Sequence, residues 1–405
     1  AYTGTYRVAG DHDLFLGGLL GDTTFTYHDF RTGRIGALHP SSETTFFAGP
    51  ALFRPAPPEL HVTFLRCPGG QVDEIRLRSA AGELAAVRLP VVEEEVTFHN
   101  GAVTLAGTLM LPPTAGPHPA VVLIHGSGRQ TRACVRSWAD YFVHRGIAAL
   151  IYDKRGAGAS TRGPEWYEDL AGDAVAGLRL LQHHPAIDPR AIGLWGSSQG
   201  GWIAPLGAVQ CPDVAFIVLM AGPAVSIATQ NVQNVACSMR AAGYDEAKIA
   251  AAVAYTERLN ELWPTGQGWE ELKAGYELAA REGWAGYIGH PGAEPPRPPT
   301  PEQRRRRHHE MHREPAAVLE RVRCPVLALF GEQDTCVPPA GNADLMAAAL
   351  QRGGNPDYTV KVIPGANHLG YVATPDGSLT SCTHFIPQYH QLAAHWIRAR
   401  AGTRP

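Results

Sequence analysis

Short runs of apolar residues, most of them six residues or fewer, set the rhythm of the chain. Through residue 92 they alternate with polar positions, as in Thr24–Tyr27, Glu59–Phe64 and Val72–Leu77. Proline and glycine clusters such as Pro55–Pro58 and Pro68–Gly70 interrupt them. Alternation with a period of two, broken by turn residues, predicts half-buried strands. Residues 1–92 are therefore expected to form a small N-terminal β-domain without a catalytic motif of its own.

From residue 93 the pattern changes. Val96–Phe98 and Val103–Met110 flank Asn100-Gly101, which predicts a β-hairpin. Continuous apolar runs follow at Val121–His125, Ile147–Tyr152, Ala191–Trp195, Ala215–Met220, Pro325–Phe330 and Tyr358–Ile363. Helical stretches separate them at Ser137–Arg145, Glu165–His183, Gly201–Val209, Gly341–Leu350 and Pro387–Arg400. Strands that alternate with helices predict an α/β domain over 93–405, with a mainly parallel, eight-stranded sheet covered on both faces. About a hundred residues separate Met220 from Pro325, too many for a structureless loop. Helical patterns at Glu246–Trp263 and Trp269–Trp284, followed by the proline-rich Pro291–Pro301, predict an inserted helical cap over 223–318. The run Arg304–Arg307 with His308 and His309 is expected to be solvated cap surface.

Composition narrows the function classes. The chain has 405 residues, 44% hydrophobic and 18% charged, with a net charge of −3. That balance suits a globular protein with a real core and favours neither nucleic acid nor an anionic membrane as partner. The excess of arginine over lysine reads as genome composition. No apolar run reaches the ~18–20 residues of a membrane span. Seven scattered cysteines form no C-x-x-C pair and no compact framework. A cytoplasmic location is expected, with a secreted form after signal-peptide removal as the alternative. A homodimer is left open. His183, His184, His308, His309 and His312 lack companion carboxylates or cysteines, so no metal and no cofactor are expected.

The chemistry concentrates in Gly196-Ser197-Ser198-Gln199-Gly200. A strand runs into this G-x-S-x-G and a helix leaves it, the context a nucleophile elbow requires. Small flanking residues let the chain turn sharply, lifting the Ser198 hydroxyl and placing the Gln199 N–H at a helix start, where an oxyanion can be held. A serine needs a base and a group that orients the base. Asp334 follows the strand Pro325–Phe330 and is favoured as the acid over Glu332, which stands closer to the strand end. His368, in Pro364-Gly365-Ala366-Asn367-His368, follows the last strand and is the expected base. His125-Gly126-Ser127-Gly128 follows Val121–Ile124, where a second oxyanion donor belongs, with the Ser127 N–H first and Gly128 second. Asp153-Lys154-Arg155-Gly156-Ala157-Gly158-Ala159-Ser160 matches no phosphate-binding spacing. It reads as a structural turn in which Asp153 and Arg155 pair locally.

Together HGSG, YDKRGAGAST, IGLWGSSQGGWIAP, CPVLALFGEQDTCVPP and PGANH resemble bacterial α/β-hydrolases near the prolyl-oligopeptidase and dienelactone-hydrolase groups. They look most like carboxylesterases with an N-terminal β-domain. The likeness covers about 93–222 and 319–405, and YHDFRTGRIGALHPSSETTFFAGPALF resembles the N-terminal extension of such proteins. It implies an α/β-hydrolase fold and puts Ser198, Asp334 and His368 on the triad positions. Members usually carry a proline and an acidic residue soon after HGSG; here Arg129-Gln130-Thr131-Arg132-Ala133-Cys134 stands instead, a departure in the substrate-facing loop. The leading expectation is hydrolysis of small or medium carboxylic esters through an acyl-enzyme. A peptidase or amidase of oligopeptidase type, an acyl transferase or thioesterase, and a non-catalytic binding module are the alternatives. Some 90 N-terminal residues are too few for a seven-bladed propeller.

Overall fold

Alternation decides which side of each strand is buried, and in the computed structural model it builds two sheets. The structure describes residues 2–19, 24–288, 297–311, 313–374 and 379–401. Nine antiparallel strands come first: β1 (Gly4–Val8), β2 (His12–Leu19), β3 (Thr24–Asp29), β4 (Ile35–Ala37), β5 (His39–Pro40), β6 (Thr45–Ala48), β7 (Leu60–Arg66), β8 (Val72–Ser79) and β9 (Gly82–Arg88). Each pairs with a neighbour in sequence, and β9 returns to β1 through Tyr6 and Arg88. The remaining edges, β4 and β5, are separated only by Leu38. The two ends of the sheet are thus consecutive pieces of one stretch of chain, and the strands roll up as an up-and-down barrel with that stretch as its seam. Tyr6, Leu16, Val62, Phe64 and Ile75 fill its interior, with Tyr2 stacked on Phe64 at 4.1 Å between ring centres.

The second sheet holds β10 (Val92–Asn100), β11 (Val103–Leu111), β12 (His118–Ile124), β13 (Ala148–Tyr152), β14 (Ile187–Ser197), β15 (Ile217–Met220), β16 (Val326–Gly331) and β17 (Tyr358–Ile363). Their order is β10-β11-β13-β12-β14-β15-β16-β17. The first two strands are antiparallel to their neighbours and the other six run parallel. The hairpin turns at Gly101-Ala102, since Asn100 pairs with Val103. This is the α/β-hydrolase fold.

The flanking helices are α1 (Arg136–Val143), α2 (Tyr167–Gln182), α3 (Gly200–Gln210), α4 (Ile227–Ala241), α5 (Glu246–Leu262), α6 (Trp269–Glu282), α7 (Pro301–Met311), α8 (Pro315–Leu319), α9 (Pro339–Arg352) and α10 (Gln388–Ala401). Successive strand residues point to opposite faces, so one apolar run feeds two cores. Val122, Ile124, Leu150, Leu194 and Leu219 pack under α2, α3 and α9. Val121, Leu123, Ile151, Trp195 and Val218 pack under α1, α10 and the barrel residues Phe15, Phe30, Ile35 and Leu52. Each large aliphatic side chain buried there contributes roughly 1.5–3 kcal/mol.

Helices α4–α8 stand between β15 and β16, with a small core of Met239, Ile249, Ala252, Tyr276 and Trp284 among α4, α5, α6 and the turn after them. Three of the five were not expected from apolar periodicity: α4, α7 and α8. The basic run forms α7, and only part of it is solvated. Arg306 reaches Glu165 at 3.2 Å and Glu310 at 3.3 Å, and His309 and Arg313 meet Glu168. The Arg307 side chain, His312 and 291–296 of the proline-rich stretch lie outside the described residues. Among the described residues no helix is long and apolar enough to cross a membrane. No disulfide joins any of the seven cysteines.

The glycine-rich loop after β13 departs from its local reading. Asp153 turns to Arg132, accepting from its Nε at 3.2 Å, and Arg155 turns to Asp173 on α2. Arg155 and Asp173 are 1% and 2% exposed, and their bidentate bonds measure 2.7 and 2.5 Å. Asn100 adds a bond of 2.9 Å to Asp173. Removing one member of such a pair strands a buried charge, whereas apolar replacement of both is tolerated. Asp173→Ala is expected to cost about 3–5 kcal/mol in chemical denaturation. Arg155→Met with Asp173→Leu should recover most of it. A double variant no better than the single one would show that the pair is not the source of the loss.

Candidate active site

Parallel pairing brings the ends of β12, β14 and β15 level, with Ile124 opposite Gly196 and Met220 opposite Ser197. The next residue, Ser198, takes a left-handed φ of 53°. For a residue with a side chain this costs about 1–3 kcal/mol, held here by bonds on both sides. The Ser198 N–H donates to Met220 O at 2.8 Å, and Ser198 O accepts from Gly201 N–H at 2.7 Å. The flanking glycines are steric necessities. A Cβ on Gly196 would lie 2.2 Å from Gly200 O, and one on Gly200 would lie 2.8 Å from Ile124 O.

Two loops from the other half of the sheet complete the arrangement. After β16 the chain turns so that Asp334 Oδ1 accepts from the N–H groups of Cys336 and Val337, both at 2.8 Å. Its Oδ2 faces His368 Nδ1 at 2.8 Å, and His368 Nε2 faces Ser198 Oγ at 3.0 Å. Asp334 is buried. Glu332, the competing acid, is spent elsewhere and accepts from Gly365 N–H at 2.9 Å. Three expected residues, 170 and 34 positions apart in sequence, thus meet as hydroxyl, imidazole and carboxylate.

The loop carrying His368 is braced on the barrel. Asn367 N–H donates to Tyr371 O at 2.8 Å, Tyr371 bridges Phe385, and Phe385 N–H donates to Gly33 O at 2.8 Å. Asn367 Oδ1 accepts from Leu369 and Tyr371 N–H, both at 3.0 Å.

The electrostatics favour a cationic His368. Burial opposes its charge, yet Asp334, with the Cys336 thiol beside it, raises its pKa well above the ordinary value. His125, at the end of β12, behaves oppositely. Burial, with Lys154 nearby, lowers it to about 3, so it is neutral and structural, packed edge-on against Tyr152.

The expected oxyanion residues lie where the loop after β12 meets the elbow. A Cβ on Gly126 would be 3.6 Å from Ser198 Cβ, which puts this loop directly against the serine. Among the described residues no protein group accepts from the N–H groups of Ser127, Gly128 or Gln199. Gln130, in the segment that departs from its resemblance, donates from Nε2 to Ser127 O at 3.1 Å. One residue escaped the sequence reading. Lys154 is buried and donates to Gly126 O at 2.9 Å and to Gln199 Oε1 at 2.6 Å. The only signal available was a lysine two positions beyond the end of a buried strand.

Helix α4 lays amide side chains over the acid loop. Gln230 donates to Cys336 O at 2.8 Å and Asn234 to Thr335 O at 3.3 Å. Among the described residues no group of three or more histidine, cysteine, aspartate or glutamate side chains is placed to hold a metal. A hydroxyl hydrogen-bonded to an imidazole, itself held by a buried carboxylate, can transfer its proton as it attacks an electrophilic carbon.

Known proteins with related sequences are matched over part of their length. The quorum-quenching protein AidA of Acinetobacter baumannii is 30% identical over 116 residues, 28% of this chain and 38% of that protein. The thiohydrolase aneE of Aspergillus aculeatus is 35% identical over 100 residues, 24% and 31% of the two chains. The polyketide transferase claH of Penicillium crustosum is 32% identical over 144 residues, 34% and 46%. The chain thus spans less than half the length of these relatives. Among solved structures, the Pyrococcus furiosus esterase Pf2001 superposes with a TM-score of 0.47 at 14% identity, over 77% of this chain and 92% of that one. The 2,6-dihydroxy-pseudo-oxynicotine hydrolase gives 0.46 at 17% identity, over 77% and 68%. The profile described as "Alpha/beta hydrolase family" matches residues 121–378, from the strand before the HGSG loop to beyond His368. With that match over more than half its length, the chain belongs to the alpha/beta hydrolase family.

Proposed function

We propose that the protein is a serine hydrolase that cleaves carboxylic esters of small or medium acyl groups through an acyl-enzyme. The observation that carries this reading is the continuous path from Ser198 Oγ to His368 Nε2 at 3.0 Å and from His368 Nδ1 to Asp334 Oδ2 at 2.8 Å. Ser198 Oγ bonds to the ester carbonyl carbon while its proton passes to His368 Nε2. The carbonyl oxygen becomes an oxyanion facing the Ser127 and Gln199 N–H groups. Collapse breaks the bond to the alkoxy oxygen, which leaves as an alcohol with the proton from His368. A water then attacks the acyl carbon, His368 takes its proton, and the second collapse returns that proton to Ser198 as the acid departs. Asp334 keeps the Nδ1–H tautomer and stabilises the imidazolium. No cofactor enters this route.

A second reading, thioester hydrolysis or acyl transfer, uses the same residues. A thiohydrolase and a polyketide transferase among the partial relatives favour it. Parallel assays with p-nitrophenyl acetate, an N-acetylcysteamine thioester and a peptide p-nitroanilide separate the readings. The expected result is a burst of p-nitrophenol equal to the enzyme concentration and slower or no release from the anilide. Turnover of the anilide alone would make the protein a peptidase.

His368 acts as base only when neutral. Since Asp334 raises its pKa above the ordinary 6.5, kcat/KM should climb with pH through a limb centred above that value. Asp334→Asn removes the carboxylate charge and should shift the limb down, besides lowering the rate. A profile flat from pH 5.5 to 8.5 would exclude His368 as the base.

A further inference from the structure

Lys154 joins two pieces of chain that the proposed reaction needs side by side. Its ammonium donates to Gly126 O at 2.9 Å, in the loop after β12, and to Gln199 Oε1 at 2.6 Å, at the start of α3. A trans peptide is planar, with its C=O and N–H pointing in opposite directions. Gly126 O and the Ser127 N–H belong to one peptide unit. A grip on that carbonyl therefore aims the Ser127 N–H away from the lysine, and a cation on the oxygen makes the N–H a stronger donor. The same ammonium fixes the side chain of Gln199, whose own N–H is the other donor. Gln130, bonded to Ser127 O, steadies the following peptide unit.

We propose that Lys154 is a positioning residue, an ammonium clamp that ties the HGSG loop to the nucleophile elbow so that both N–H groups converge on the oxyanion. The assignment rests on the acyl-enzyme reading. A buried ammonium is costly to keep in a protein interior, and here that cost is offset by the two carbonyl oxygens it grips. The groups that face it are Glu165 ahead of α2, Asp173 on α2, Arg306 and Glu310 on α7, and His125 at the end of β12. Burial, against a mixed set of neighbours, draws the Lys154 pKa down to about 8. The clamp therefore loses its charge within the range where esterases are assayed.

Lys154→Met and Lys154→Arg test this, with p-nitrophenyl acetate turnover measured from pH 6 to 9.5 and thermal unfolding as the check on folding. Lys154→Met should lower kcat on the order of 10–100-fold with KM changed by less than about threefold, since the clamp acts on the oxyanion and not on the bound ester. Wild-type kcat should decline on the alkaline side with an apparent pKa about 8, and the permanently charged Lys154→Arg should lack that decline. A purely structural lysine would change stability and leave the alkaline limb alone. Folded Lys154→Met with wild-type kcat, or folded Lys154→Arg with the limb intact, would overturn the assignment. If Lys154→Met does not fold, the Lys154→Arg profile decides. Wild-type protein that neither turns over the ester nor takes a fluorophosphonate at Ser198 would instead remove the acyl-enzyme reading, and the clamp with it.

Discussion

Ser198→Ala is expected to lower ester turnover on the order of 10⁵–10⁶-fold and to abolish fluorophosphonate labelling while leaving the fold intact. Its size follows from the role: without the hydroxyl no acyl-enzyme forms, and the residual rate comes from the oxyanion donors acting on water. The fold should survive because Ser198 holds its position through backbone bonds to Met220 O and from Gly201 N–H, which alanine keeps. His368→Ala should fall nearly as far. Ser198→Ala combined with His368→Ala should be no worse than either alone, because the two groups act as one unit. Asp334→Asn should lose less, on the order of 10⁴-fold, by favouring the wrong imidazole tautomer. Folded Ser198→Ala that still takes the label, or keeps more than about one hundredth of the turnover, would end the serine-hydrolase reading.

The legibility of this site in the sequence was uneven for physical reasons. Ser198 could be found because its neighbours are dictated by contact: a side chain on Gly196 would strike the Gly200 backbone and one on Gly200 would strike the end of β12, so both constraints surface as glycines within five residues. Asp334 and His368 could be placed because each follows an apolar run of the alternating pattern, the buried β16 and the edge strand β17, and parallel strands deliver their C-terminal ends to one edge. Lys154 could not. Its partners, Gly126 and Gln199, are 28 and 45 residues away, and nothing near it distinguishes an ammonium clamp from a turn lysine. Separations of 21 and 18 residues likewise hid the partners of Asp153 and Arg155.

Barrel closure was illegible for a related reason. Strands are local, but the β1–β9 pairing joins Tyr6 to Arg88 and depends on the register of every strand between. Helix α4 escaped because its face is polar by function. Gln230, Gln233 and Asn234 spend their amides on Cys336, Asn342 and Thr335, so the apolar period that marks other helices is weak there. The barrel also reaches the site by an unforeseen route, through Gly33, Phe385, Tyr371 and Asn367 to His368. The N-terminal strands thus bear on where the imidazole stands, although they supply none of the three side chains.

At that same joint, acid should undo the protein well before its carboxylates are all protonated. His28 on β3 and His390 on α10 lie among Phe30, Phe385, Trp138 and Tyr141, where the barrel meets the second sheet. Burial lowers His28 to about 3, and burial, with His28 and Arg145 nearby, lowers His390 well below its ordinary value. His125, under the HGSG loop, is also drawn to about 3. Each is neutral in the folded chain, while the unfolded chain takes up a proton near pH 6.5. Their contribution is complete above that pH and is lost as pH falls from 6.5 towards 3. The loss is about 1.4 kcal/mol per unit for each group, so His28 and His125 together forfeit on the order of 5 kcal/mol by pH 4.5, a large part of the stability of a typical domain. His368 has the opposite sign, since its raised pKa adds stability in acid that is lost as pH rises through it. Against it stand His28, His125 and His390, with His144 and His384 also lowered by burial. Denaturation in urea as a function of pH should therefore show a steep decline below about 6. Among the described residues neither ring nitrogen of His390 has a hydrogen-bond partner, and the ring stacks on Trp138 at 3.7 Å, so phenylalanine can take its place without stranding a polar group. His390→Phe should be close to neutral at pH 7.5 and should move the acid midpoint lower. An unchanged midpoint in the folded variant would show that protonation at this joint is not what unfolds the protein.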